Sequence, residues 1–145
     1  MSEPTPLPTD PQERKGVPLV TGLLDYFPAA LAEVARLSKI GNDQHNPGEP
    51  MHWARDKSSD HADCCVRHVV ERGSVDTDGV RHSTKAAWRA LANLQIELEE
   101  AGAPMARGAK GEPQPTEWAG QHLQSILEAR NGGPVPYPYP YPEST

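Results

Sequence analysis

The 145-residue chain has few of the residues that build large cores: one Phe, three Trp and four Tyr, with Leu, Ile, Val and Phe together filling only 24 positions. So thin an apolar content excludes more than one sizeable hydrophobic core. No apolar run approaches the roughly 20 residues needed to cross a bilayer, and the opening MSEPTPLPTDPQE has neither a basic start nor an apolar stretch. The chain therefore reads as unsecreted and without a membrane span. Cysteine is scarce too. Cys64 and Cys65 are the only two, and neighbours in sequence cannot form an ordinary disulfide with each other. That fits a reducing, cytoplasmic setting. Lys and Arg number 14 against 20 Asp and Glu, which argues against general nucleic-acid binding, since that requires a concentrated basic face.

What the chain does have is proline, 16 residues of it, ten of them in two terminal stretches (4–18 and 134–142) and none between positions 51 and 103. Residues 1–15 carry PTPLPTDP and read as an extended, solvated arm. Residues 132–145, with PVPYPYPYPEST, read as a low-complexity tail. The expected fold is all-α, a small bundle of three to four helices between disordered Pro-rich termini. The domain spans residues 16–101, followed by a linker over 102–115 and an accessory helix over 116–131 capped by Thr116.

Within the domain, the spacing predicts a first helix capped by Asp25, with Pro28 in its first turn, and ended by Gly41. Glu33 lies in the middle of its apolar stripe, where a carboxylate needs a partner, either a neighbouring Arg or a metal. Residues 42–57 lack helical periodicity and read as a long loop of the kind that often carries function. A second helix is expected from Ser58 or Ser59 to Gly73, burying Ala62, Cys65, Val66, Val69 and Val70. Asp63 would pair with Arg67, and His61, a cysteine and His68 would run along one flank. A third helix is expected over 83–100 with Ala87, Trp88, Leu91, Leu94 and Leu98 as its apolar stripe, beside a more polar row of His82, Ala86, Arg89 and Asn93.

Five of the six histidines fall between positions 45 and 82. Three helices would bring Glu33, Asp60 or Asp63, His68, Asp76 or Asp78, and His82 into one domain, a mixed carboxylate and imidazole set suited to Mg²⁺ or Mn²⁺. The paired spacing of a structural zinc site is absent. SVDTDG opens like an EF-hand loop, but Lys85 stands where the closing Glu is required, which excludes that motif. A capped tight turn is the plain alternative for Asp76, Asp78 and Gly79. Cysteines at helical core spacing read as small apolar residues, not nucleophiles. Trp53 beside His52 could stack on a base or cover the core.

Three segments in order, PLVTGLLDYFPAALAEVARLSKIGNDQHNPGEPMHW, the Arg67-His68 pair, and GSVDTDGVRHSTKAAWRALANLQIELE, resemble the small phage proteins known as dATP/dGTP diphosphohydrolase N-terminal domain proteins. The resemblance covers residues 16–101. It implies a helical, MazG-like, oligomeric nucleotide pyrophosphohydrolase that splits a deoxynucleoside triphosphate into monophosphate and pyrophosphate with Mg²⁺ or Mn²⁺, in the host cytoplasm. On it, Glu33, Asp63, Asp76 and His82 would hold metal or water, with His68 also catalytic. Lys39, Lys57 and Arg67 would hold phosphate, and Asn42, His45 and Trp53 the nucleotide. The Glu-Glu-x-x-Glu and Glu-x-x-Asp strings of MazG enzymes are not present; Asp60-x-x-Asp63 and Glu97-x-x-Glu100 approach that spacing. The rival expectation is a non-catalytic helical module that uses the Pro/Tyr tail to bind a partner.

Overall fold

Asp10 caps a short helix, α1 (Pro11–Lys15): its Oδ1 accepts from the N–H groups of Gln12 and Glu13 at 2.9 and 3.0 Å. An Asp cap followed by Pro at the first helical position is favourable for initiation, so this part of the expected extended arm is helical. The computed structural model describes residues 5–113 and, beyond them, residues 124, 127, 128, 131 and 132. Most of the expected accessory helix, and all but the first residue of the expected Pro/Tyr tail, lie outside the described residues.

After α1 come a π-helical turn (Val20–Leu24), α2 (Pro28–His45), a two-residue strand β1 (Trp53–Ala54) running into a 3₁₀ turn (Arg55–Lys57), α3 (His61–Val70), α4 (His82–Glu100) and a two-residue strand β2 (Ala109–Lys110). The fold is all-α with one parallel two-strand ladder, Trp53 opposite Ala109 and Ala54 opposite Lys110. Among the described residues no single helix is long and apolar enough to cross a membrane. Pro11–Leu24 and Pro28–His45 reach that length and composition only together, across an 88° bend.

Several expected boundaries move. Asp25 closes the π-helical turn, donating its N–H to Val20 O at 2.8 Å, and Phe27 stands at the N-cap of α2 with no capping side-chain bond. Gly41 does not end α2. A missing side chain weakens a helix interior by only about 1 kcal/mol, and the next residue ties the helix to the loop beyond it. Asn42 donates to Glu49 O at 3.2 Å and accepts from the His52 N–H at 3.2 Å, so α2 continues to His45 and organises that loop. The expected linker also holds structure. β2 pairs with β1, and Gly111 turns there at φ +85°, where an added Cβ would meet Asp56 at 2.7 Å.

The largest correction concerns which faces are buried. Ala62, Val66, Val69 and Val70 on α3 are exposed, while His61 is buried and Cys64, Cys65 and His68 are partly so. On α4 the buried residues are His82, Thr84, Ala86, Ala92 and Ile96, with Leu91 and Leu94 exposed. The helices pack mainly α3 on α4, and they do so through the rows the periodicity assigned to the flank. Small alanines on α4 permit close approach, and polar groups on α3 find partners there. The Cys65 thiol, for example, donates to Ala86 O at 3.3 Å.

Candidate functional site

A cavity of about 530 Å³ opens between α2, the β1 loop, α3 and α4, within the roughly 300–1,000 Å³ range of small-molecule sites. Its aromatic wall is Trp53, His61 and Trp88. The two indoles meet edge-to-face with ring centres 5.8 Å apart, and Trp53 and His61 do so at 6.0 Å. The Trp88 indole N–H donates to Ser38 Oγ on α2 at 2.9 Å, which fixes the ring's orientation. Arg89 donates to Ser58 Oγ at 2.7 Å and to His61 Nδ1 at 3.1 Å. Because a guanidinium only donates, His61 Nδ1 must be the accepting nitrogen and the ring proton sits on Nε2. Burial, with the charge of Arg89 added, pushes the His61 pKa down, so the neutral ring is favoured.

A smaller cavity of about 280 Å³ shares Gly41, His45, Trp88 and Arg89 with the first and extends to His68, Asp78 and Lys85. The connection between α3 and α4 shapes this end. Asp76 N–H donates to Val80 O at 2.8 Å and His82 N–H to Ser74 O at 3.2 Å, with Gly79 at φ +84° making the reversal possible. This tight turn brings His82, the first residue of α4, back beside His68 in the last turn of α3. Their Nδ1 atoms lie 2.9 Å apart. Burial, then the neighbouring His82 and Lys85, lower the His68 pKa. Glu71 Oε2 lies 3.5 Å from His82 Nδ1.

The residues implicated by sequence divide into two groups. Asn42, His45, Trp53 and Lys57 all line the main cavity, although Asn42 is also engaged by the loop. Lys39 and Arg67 do not. Lys39 forms an exposed pair with Asp43, and Arg67 pairs with Asp60 at 2.7 Å in place of the expected Asp63. Glu33, Asp63, Asp76 and His82 do not gather into one ligand set. Glu33 is clamped by Arg36 and Asp63 is exposed. Asp76 is held by Lys85 at 2.7 Å, with Asp78 on the same ammonium at 2.6 Å. The Lys85 bond and the Thr77 N–H lower the Asp76 pKa to about 2. The capped-turn reading therefore describes Asp76, Asp78 and Gly79, and the Arg-partner reading describes Glu33.

Among the described residues, one group of three potential metal-binding side chains has its ligand atoms within 4.8 Å of one another: His68, Glu71 and His82. Sequence reasoning missed Glu71, Trp88 and Arg89 as site residues. Trp88 stood in an apolar stripe and Arg89 in a polar row, and only the packing of α2 against α4 turns both toward one space. Comparison with protein-family models, curated proteins and solved structures finds no match to the chain.

Proposed function

We propose that this chain is a (deoxy)nucleoside triphosphate pyrophosphohydrolase, with dATP and dGTP as its expected substrates. The observation that carries the reading is the main cavity: aromatic walls from Trp53 and Trp88 beside the cations Lys57 and Arg89. Flat aromatic surfaces take a nucleobase by stacking, and adjacent cations take phosphate by charge-assisted hydrogen bonds. His45 on the α2 side supplies a polar edge for the sugar or base. Water attacks the α-phosphorus and the bond to the β-phosphate breaks. Monophosphate and pyrophosphate are the products.

Such hydrolysis uses a divalent ion, Mg²⁺ or Mn²⁺, to neutralise the triphosphate. The oxygen-rich set of Glu33, Asp63 and Asp76 does not fit that ion, because two of the three are paired to cations of their own chain and the set is dispersed. Association of several copies belongs to the same reading. Sixteen large apolar side chains among the described residues are exposed, while the buried apolar ones are Val80, Ile96 and four alanines. A second copy would cover part of that surface.

The test is incubation of the full chain with each deoxynucleoside triphosphate and Mg²⁺ or Mn²⁺, following pyrophosphate release together with quenching of tryptophan fluorescence. Release with a purine substrate, reduced by Arg89→Gln, is expected. Folded protein that neither quenches nor releases pyrophosphate with any nucleotide overturns the reading.

A further inference from the structure

We infer that His68, Glu71 and His82 form a binding site for one borderline transition-metal ion, of the Fe²⁺ to Zn²⁺ series, and not for Mg²⁺. All three ligand atoms already lie within 4.8 Å of one another. The site is assembled where the turn folds α4 back on α3: the last turn of α3 gives His68, the residue capping it gives Glu71, and the first residue of α4 gives His82. The two imidazole Nδ1 atoms lie 2.9 Å apart, with the rings tilted 36° to each other.

That contact is itself informative. Two neutral imidazoles can meet through Nδ1 only if one donates and the other accepts, so a single proton occupies the space between them. A metal ion would take that proton's place, and the proton would move to Nε2 of its own ring, leaving the proton count of two neutral rings unchanged. Metal–nitrogen bonds of about 2.0–2.1 Å at a tetrahedral angle separate two nitrogens by roughly 3.3 Å, so the rings need part only by a few tenths of an ångström. His82 has a side chain only 9 % exposed and the Glu71 carboxylate is 60 % exposed, so the ion would sit between a dry wall and an accessible anion.

The donor chemistry decides the class of ion. Imidazole nitrogen suits Fe²⁺ through Zn²⁺, whereas Mn²⁺ and Mg²⁺ prefer oxygen and Mg²⁺ retains its water. Neighbouring charges leave the balance to Glu71. Asp76 is already paired with Lys85, and Arg89 is turned toward Ser58 and His61. Three protein ligands leave a fourth position for water or a ligand oxygen. His68 also lines the smaller cavity, which shares Trp88 and Arg89 with the larger one. The inference stands apart from the hydrolase reading, because ion binding is measured without nucleotide.

The experiment is titration of the full, chelator-stripped chain with Co²⁺, recording visible d–d absorption, followed by competition with Zn²⁺, Mn²⁺ and Mg²⁺. One Co²⁺ per chain is expected, displaced by Zn²⁺ and untouched by millimolar Mg²⁺. His68→Asn, His82→Asn and Glu71→Gln should each weaken binding by roughly tenfold or more, with far-ultraviolet circular dichroism reporting folding. Where a variant does not fold, imidazole ¹⁵N resonances of the unmodified chain give the answer, since Zn²⁺ should shift His68 and His82 and leave His52 in place. Absorption equal in all three folded variants, no Co²⁺ spectrum at all, displacement by Mg²⁺, or shifts confined to other histidines would overturn the assignment.

Discussion

The two sides of α3 contrast sharply. The inner side carries His61, Cys65 and His68; the outer side carries Val66, Val69 and Val70, which are 61 %, 43 % and 73 % exposed. α4 repeats the pattern, with Ala86 and Ala92 inside and Leu91 and Leu94 outside, each 49 % exposed. Burial in this domain therefore tracks size and hydrogen-bonding capacity more than apolarity. Small or hydrogen-bonding residues let the helices approach while leaving room for the cavity beside them. The larger apolar side chains are left on the surface, where the proposed second copy would use them.

Breaking the inner side should have the largest effect. Arg55 is 1 % exposed and forks onto Glu99 at 2.9 and 3.1 Å. Arg55→Ala removes the charge opposite the Glu99 carboxylate and leaves it the Gln95 amide at 2.8 Å, so a loss of about 3 kcal/mol is expected in urea unfolding, with much of it recovered when Glu99→Leu accompanies Arg55→Met. A single-variant loss below about 1 kcal/mol would show that the pair is not a buried strut.

Acid provides a second probe. The Asp76 pKa is lowered from 3.8 to about 2, so its bond to Lys85 is at full strength above the ordinary carboxylate range and is lost as the pH falls from about 4 toward 2. Asp76→Asn should flatten the stability profile across that window in circular-dichroism melts. A profile as steep as the unmodified chain's would assign the acid sensitivity to other groups.

The outer side should respond differently. Val66→Ala is expected to change the stability of a dissociated chain by no more than about 0.5 kcal/mol. Val69→Lys together with Leu94→Lys should instead lower the sedimentation coefficient, by separating copies without loss of helix. Unchanged sedimentation would leave those faces uncovered and remove the second copy from the comparison. Lys39→Ala, which breaks an exposed pair with Asp43, should shift stability least, by about 0.5 kcal/mol or less.

Local signals were readable where a neighbour in sequence supplies the physics. The breaks around Pro28, Gly73 and Gly102, and the turn over Asp76, Asp78 and Gly79, arise from residues within a few positions of each other. The faces of α3 and α4 were not readable, because periodicity identifies an apolar stripe without saying what lies opposite it. Spacing places His61 and His68 on a flank, and they form an interior because Arg89 and His82 arrive from α4 to meet them. β2 was hidden for a related reason: two residues carry no periodic signal, and their ladder depends on β1 more than 50 positions earlier.

The sequence by itself determined that the chain is helical, that its prolines crowd the two ends, and that its histidines concentrate between positions 45 and 82, since composition and local spacing are properties of the chain alone. Tertiary structure decided which carboxylates were already paired to lysine or arginine, which tryptophans faced one cavity, and that His68, Glu71 and His82 meet. Those outcomes depend on angstrom-scale distances between groups brought together by turns and helix packing, and a linear pattern does not contain them.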